Sequence, residues 1–360
     1  MKYISFIIGL VLSGAALYLT LINVPLHTLW EYFFSIQFRW VFISIGINYI
    51  SFLIRAYRWQ QIVKEIQPIS FCAAYHPTAI AFMINCILPG RVGELARPAI
   101  LYQKKRVPLS GGLSTIVTER LFDITILILL YALVFIYVDI DPNYQMEIFN
   151  YTLSQTTLST LATHIFGLFI FLLVCIVCIN VQRIRSWFKR IFLQIPRLIF
   201  FAGPRVQTFI AHKCVDPMIN IMDHVAEGFS LLRRPARIIH CFFLSVVIWL
   251  LVAFSYFVMS FGCTELHISF FEMCAVLVMI CFFISLPSVP GYWGLWEAGG
   301  VFAMTIFGIG EKEAVGFTLV NHAAQVFPII VAGLISAFLT GTSIFSSSQR
   351  ETVEKIQIKE

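Results

Sequence analysis

Leu88-Pro89-Gly90-Arg91-Val92-Gly93-Glu94 and, in the second half of the chain, Val289-Pro290-Gly291-Tyr292-Trp293-Gly294-Leu295-Trp296-Glu297 are the stretches whose reading decides the fold. Both carry Pro-Gly, a further glycine three residues on, and then a glutamate. Proline removes a backbone donor and glycine loosens the backbone, so each stretch should break a helix. The first follows an apolar run from about Thr78 to Leu88 that is far too short to cross a bilayer. Basic residues flank it on both sides, Arg55, Arg58 and Lys64 before and Arg91 and Arg97 after, so it should enter and leave on the cytoplasmic side. The second runs from about Phe270 to Leu286, stops, and resumes from Ala298 to Ile309. Starting outside, it either turns back or crosses fully and is followed by a short return helix. If the first opens inward and the second outward, the two form an inverted-topology pair meeting near the bilayer middle, which is a transport architecture. Exposed backbone at membrane depth is tolerated where it lines a polar cavity, so the broken elements imply a pocket. The competing reading of each is a simple kink or interfacial turn.

Composition agrees with a chain that lives in lipid. Apolar residues make up 59% and charged residues 12%, with a mean hydropathy of +0.85. A spanning helix needs about 20 mostly apolar residues. Residues 4–22, 38–54, 113–138, 160–180, 238–260 and 314–341 read as full spans, the first as a retained helix, since Lys2 alone is a weak basic region for a signal peptide. The expected fold class is all-α, a polytopic transmembrane bundle of about six to eight spans with two Pro/Gly-broken, re-entrant elements in inverted-repeat relation. Residues 1–345 form one membrane domain and 346–360 a polar tail.

Charge sets the orientation. Residues 181–237 carry ten Lys or Arg against Asp216, Asp223 and Glu227, a local +7 in a chain of net +6. The positive-inside rule makes that loop cytoplasmic, whereas 139–159 and 261–272 hold acidic residues and no Lys or Arg and face outward. Both termini then fall on the cytoplasmic side of an inner membrane. The basic loop does not imply nucleic acid, because anionic lipid attracts Lys and Arg at about 1 kcal/mol each. Nine cysteines lie scattered through apolar segments; the close pair Cys175 and Cys178 has no second pair or histidines at ligand spacing, so packing is expected rather than a metal. No phosphate-cradling glycine loop occurs, and no cofactor is expected.

Ionisable residues inside spans locate the site. Glu119, Arg120 and Asp123 open a long helix; the i, i+4 spacing puts both carboxylates on one face, with Arg120 in reach of Asp123. A charge there costs about 2.5 to 3.5 kcal/mol on insertion scales, so the cluster is a functional candidate, with a structural salt-bridged latch as its alternative. Its partners should be Arg91 and Arg97. Asn321, His322 and Gln325 on the last helix form a cavity wall or an interhelical hydrogen-bond set. Arg55, Arg58 and Trp59 read as headgroup-level anchors ending the second span, with phosphate binding as the sharper alternative.

Four elements in order resemble the lysylphosphatidylglycerol synthase transmembrane family, also called flippase-like. They are Arg55-x-x-Arg58-Trp59, Asn85-x-x-Leu88-Pro89-Gly90-Arg91-x-Gly93-Glu94-x-x-Arg97-Pro98, Glu119-Arg120-x-x-Asp123, and Pro290-Gly291-x-x-Gly294-x-x-Glu297. In the full-length aminoacyl-phospholipid synthases, the resemblance implies, the membrane half moves the modified lipid between leaflets while a soluble domain makes it from aminoacyl-tRNA. Only a polar tail follows the final span here, so a stand-alone member without that transferase is expected, not an enzyme.

The reading is therefore a protein that binds and translocates a phospholipid, glycophospholipid or aminoacylated phospholipid. Arg91, Arg97 and Arg58 would pair the phosphate. Asn85, Glu94, Glu119, Arg120 and Asp123 would complete the headgroup site, the carboxylates favouring a cationic substituent or carrying a proton. Pro89, Gly90, Gly93, Pro290, Gly291, Gly294 and Glu297 would be the hinges. One alternative is a non-catalytic membrane partner of a lipid-modifying or lipid-linked glycan enzyme, docking through 190–237. Another is an intramembrane headgroup enzyme with Glu94 or Glu297 as base and His322 as partner, for which no nucleophile or metal set is visible. His76, the other histidine near the first break, reads as a turn or interface residue.

Overall fold

The computed structural model describes residues 2–137 except Asn23, the segments 145–148 and 151–154, scattered positions between 160 and 219, and residues 235–341 except 264 and 265. Most of the expected span over 160–180, the cysteine pair within it, most of the basic loop over 181–237 and the tail at 346–360 lie outside the described residues.

The chain is a helical membrane bundle. Helices α1 (Lys2–Leu21), α2 (Leu26–Ser35), α3 (Phe38–Val63), α4 (Phe71–Ile87), α5 (Gly93–Lys105) and α6 (Leu109–Tyr137) make up the first part, and α7 (Pro235–Ser260), α8 (Phe270–Phe283), α9 (Leu295–Ile306) and α10 (Glu311–Thr340) the second. Between them Gln145–Ile148 (β1) pairs antiparallel with Tyr151–Ser154 (β2), a short ribbon in the segment read as an acidic loop. Among the described residues, helices α3, α7 and α10 are long and apolar enough to cross a membrane. Helix α6 is 29 residues long and carries Glu119, Arg120 and Asp123 in its first half.

Lengths explain the two broken elements. At 1.5 Å per residue, the 17 residues of α4 and 14 of α8 give about 25 and 21 Å, and their return helices α5 and α9 are shorter still. None spans a hydrocarbon core of about 30 Å. Each pair folds back as a helical hairpin: Ile84 and Ile80 of α4 lie in one cluster with Ala96 and Ile100 of α5, and Gly299 of α9 lies against Met279, Ile280 and Phe283 of α8. A full crossing over 270–309 is therefore not the arrangement.

Both hairpins start on the same signal, Ile69-Ser70-Phe71 and Ile268-Ser269-Phe270. Ser70 Oγ accepts from the Ala73 amide (3.3 Å), and Ser269 forms a capping box with Glu272 (3.3 and 2.7 Å), which fixes where each helix begins. Both breaks hold residues at positive φ: Gly90 and Arg91 in the first, Gly291, Tyr292 and Gly294 in the second. Gly93 is required by close packing as well, since a Cβ there would lie 1.9 Å from the Ala81 carbonyl oxygen.

The packing has a pseudo-two-fold plan in which α3 corresponds to α7, α4 to α8, α5 to α9 and α6 to α10. Helices α3 and α7 pack most extensively on one another; α4 packs on α10, and its counterpart α8 packs on α6. The two break points meet at the centre, with a Cβ at Gly291 lying 3.2 Å from the Cys86 carbonyl oxygen and the Arg91 guanidinium 5.6 Å from the centre of the Tyr292 ring. The apolar core lies largely on the α7–α10 side, around Tyr256, Met273, Leu277, Met304 and Phe317.

Candidate functional site

Helix α3 does not end at Ile54. It continues to Val63, and Arg55, Arg58 and Trp59 are buried rather than set at headgroup level. This corrects the anchor reading: both guanidiniums face carboxylates on α6, and buried charge is retained where it is paired.

Arg58 is fully buried and central. Its Nη1 donates to Asp123 Oδ1 (2.7 Å) and Ser245 Oγ (2.6 Å), and its Nη2 to Glu119 Oε1 (3.0 Å). Arg97 Nη1 donates to Glu119 Oε2. Arg55 Nη1 and Arg120 Nη2 each lie 3.3 Å from Asp123 Oδ2, and Trp249 Nε1 donates to Asp123 Oδ1 (3.1 Å). Arg120 Nη1 is also 3.8 Å from Glu94. Four guanidiniums thus meet three carboxylates, an excess of one positive charge that Arg91 raises to two.

Arg91 does not join the carboxylates as expected. Its Nη2 donates to the Ile284 carbonyl (3.0 Å) across the meeting point of the hairpins. Its φ of 53° lies in the left-handed region. Asn85 Oδ1 accepts from the Gly93 amide (2.8 Å), so it closes the first break while lining the cavity.

That cavity, about 210 Å³, lies between the hairpins. Arg55, Arg91, Glu94, Arg97 and Arg120 line it together with Trp249, Tyr256, Tyr292, Trp296 and Gln325. Arg97 is 2% exposed, its guanidinium 4.7 Å from the centre of the Trp59 ring, and its Nε and Nη2 have no hydrogen-bond partner among the described residues. Those two donors share one edge of the guanidinium, the fork that binds a phosphate or carboxylate through two parallel bonds. A larger apolar groove of about 860 Å³ runs along the outside of α3 and α10, from Phe38 and Phe42 past Tyr49 to Phe327 and Ile335. Its α3 and α10 residues alternate with cavity residues Asn48, Phe52, Gln325 and Ile329 on the same helices.

The second half repeats the constellation in neutral form. Counted from the start of each helix, Glu119, Arg120 and Asp123 of α6 correspond to Asn321, His322 and Gln325 of α10, and Arg58 of α3 to Ser255 of α7. The contacts correspond too. Arg58 to Asp123 is matched by Gln325 Nε2 to Ser255 Oγ (3.5 Å), and Arg120 to Glu94 by His322 to Glu297 (2.6 Å). Asn321, His322 and Glu297 are fully buried behind Trp296, and only Gln325 of the expected cavity wall lines the cavity. Both amide atoms of Asn321 lack partners among the described residues. Ser245, Trp249 and Ser255 are absent from the sequence-based site; a serine and a tryptophan on an apolar helix give no signal until the opposing helix is known.

The geometry of Arg58 carries a prediction. In Arg58→Lys the charge is kept, but a single ammonium cannot bridge Glu119, Asp123 and Ser245. With charge-assisted bonds contributing about 1.5 to 3 kcal/mol each, the variant should lose about 3 kcal/mol, read as a lower unfolding temperature in detergent. An unchanged midpoint would show that the bridge is not made.

No curated protein and no solved structure matches the chain. The family model for the lysylphosphatidylglycerol synthase TM region matches residues 6–333, which cover both hairpins, the charged cluster and its neutral counterpart, and the chain belongs to that family.

Proposed function

We propose that the protein binds the anionic headgroup of a phospholipid in the central cavity and carries it between the leaflets of an inner membrane, both termini being cytoplasmic. The observation that carries this reading is the buried Nε/Nη2 edge of Arg97, without a partner among the described residues, on a residue in the wall of a cavity that has more guanidiniums than carboxylates. A desolvated fork of this kind is matched by a phosphate. Glu94, partly exposed to the same cavity, faces the place where a cationic substituent such as an aminoacyl amine would sit. The apolar groove between α3 and α10 gives the acyl chains a path in lipid while the headgroup is inside. A headgroup enzyme using Glu297 and His322 is less favoured, because Trp296 stands between that pair and the cavity.

The test is reconstitution of the purified protein in liposomes with labelled phosphatidylglycerol, its lysyl ester and a neutral lipid, followed by leaflet exchange. Replacing the fork in Arg97→Gln should slow exchange of the anionic lipid at least about tenfold, the equivalent of about 1.4 kcal/mol, with the lipid recovered chemically unchanged. Exchange that is indifferent to Arg97→Gln in a folded protein would remove the proposal. New lipid species would favour the enzyme, and no exchange with any lipid would favour a non-catalytic partner of a lipid-modifying enzyme.

A further inference from the structure

The ring of His322 is held at both nitrogens by acceptors. Nε2 lies 2.7 Å from the Gly291 carbonyl oxygen and Nδ1 lies 2.6 Å from Glu297 Oε1. A carbonyl oxygen only accepts, so Nε2 carries a hydrogen. A second hydrogen must then lie on the short contact between Nδ1 and the carboxyl, either on the ring, giving imidazolium and carboxylate, or on Glu297, giving a neutral pair. In both forms the pair holds one proton more than a neutral histidine beside a carboxylate. Removing that proton leaves a ring with one N–H facing two acceptors, and one of the two contacts must be given up.

The surroundings suit a proton held in this way. Glu297 and His322 are both fully buried, and Glu297 Oε2 accepts from the Gly294 amide at 2.7 Å. The imidazole stacks on Trp296 (centroids 4.5 Å apart, 2° between planes) and lies 4.2 Å from Trp293, two aromatic faces that favour a cationic ring. Among the described residues, Glu297 is the carboxylate that reaches His322. Of the other titratable groups on the elements packed around it, Tyr256 of α7, Cys281 of α8, Arg91 and Tyr292 line the cavity together with Trp296. Cys86 of α4 lies by Gly291 through its backbone, Tyr32 of α2 lies against Gly316, and α1 brings Ser13, which does not titrate.

We propose that Glu297 and His322 form a proton-binding site whose occupancy fastens the second hairpin to α10. With the proton bound, Gly291, at the tip that touches Cys86 of the first hairpin, is tied to α10 through the ring. Raising the pH removes the proton and releases either the tip or the start of α9. Lipid movement is then proton-linked, the part of the proposal that rests on the translocation reading; proton binding itself does not.

Two measurements test the parts separately. In the whole chain in nanodiscs, tryptophan emission should change with pH, because loss of the proton gives up one of the contacts that hold the ring against Trp293 and Trp296. The titration should vanish in His322→Gln and in Glu297→Gln, the latter donating from its amide to Nδ1 so that no extra proton is needed. In proteoliposomes, exchange should change by about tenfold per pH unit on the titrating limb in the native chain and by less than about twofold across the range in Glu297→Gln. Emission that titrates identically in native chain and Glu297→Gln, or does not titrate in either, overturns the proton site even if lipids exchange. A titration that vanishes in Glu297→Gln, with no exchange of any lipid, keeps the site and overturns translocation.

Discussion

Asp123→Asn should unfold at a markedly lower temperature than any other single conservative change in the cavity and should show no lipid exchange. Asp123 is almost fully buried, and its two oxygens receive Arg58 Nη1 and Trp249 Nε1 on one side and Arg55 Nη1 and Arg120 Nη2 on the other. Asparagine has the same shape but one acceptor oxygen and two donor hydrogens, so a guanidinium is left facing an N–H. Three arginines also lose their shared counter-charge at a depth where water cannot replace it. Breaking a buried pair by removing one partner costs about 3 to 5 kcal/mol, and here one carboxylate serves several cations, so the upper part of that range is expected. Glu94→Gln is the internal control. Glu94 is partly exposed and 3.8 Å from Arg120, a geometry in which loss of the charge should move stability by less than about 1 kcal/mol. Thermal unfolding of the two variants in one detergent decides the matter. Equal midpoints would mean that the charged cluster is solvated rather than buried.

The same comparison separates the two interpretations of the cluster, as latch or as headgroup site. A latch needs its donors filled, and those of Arg58 largely are: both Nη atoms are used. Arg97 is different, since Nη1 is taken by Glu119 while the Nε/Nη2 edge has no partner among the described residues. In the proposed reading Arg58 and Asp123 set the frame, and Arg97 presents the recognition edge. Changes at Arg58 and Asp123 should cost stability and exchange together, whereas Arg97→Gln should cost exchange with the smaller loss of stability.

Much of this plan is legible in the sequence. Hydropathy marks α1, α3, α6, α7 and α10, and the Pro-Gly breaks mark the hairpins, because lipid leaves so few ways to satisfy a backbone that a break at depth stands out. Pairing across helices is not legible in the same way. Arg55 and Arg58 read as interfacial because charge at the end of an apolar run usually snorkels. Only the extension of α3 to Val63 puts them opposite Glu119 and Asp123. Helix α2 escapes notice because ten residues between two spans are too few to register as a membrane element. The breaks alone carry the sequence-level repeat, although Ile-Ser-Phe opens both hairpins and Glu-Arg-x-x-Asp aligns with Asn-His-x-x-Gln. The second match is hidden by its chemistry: a charged set and a neutral set share position and contacts but not residue type. That difference makes the cavity one-sided in charge, with Arg55, Arg91, Glu94, Arg97 and Arg120 all from the first repeat and Trp249, Tyr256, Tyr292, Trp296 and Gln325 from the second.

Gly294→Ala should be among the most damaging small substitutions in the chain, while Gly90→Ala, in the other break, should be mild. Both glycines have φ in the left-handed region, +88° and +79°, so alanine is strained at each by about 1 to 3 kcal/mol. The surroundings differ. A Cβ at Gly90 meets nothing within 4 Å, whereas at Gly294 it would lie 2.1 Å from the Ser13 carbonyl oxygen and 2.9 Å from the carbonyl carbon. That obstacle is backbone in the middle of α1, not the end of a flexible side chain, so relief requires moving α1 or the start of α9. Either movement strains the bond from the Val289 amide to Ser13 Oγ (3.1 Å) and the one from the Gly294 amide to Glu297. Forced backbone shifts add about 1 to 3 kcal/mol to the conformational strain, so a total of about 3 kcal/mol or more is expected against about 1 for Gly90→Ala. The unfolding midpoints in detergent give the comparison directly. Because Glu297 also holds His322, Gly294→Ala should in addition disturb the tryptophan titration, which Gly90→Ala should leave in place. If the two alanine variants behave alike, α1 is not seated against the second break, and the hairpin is free to move without it.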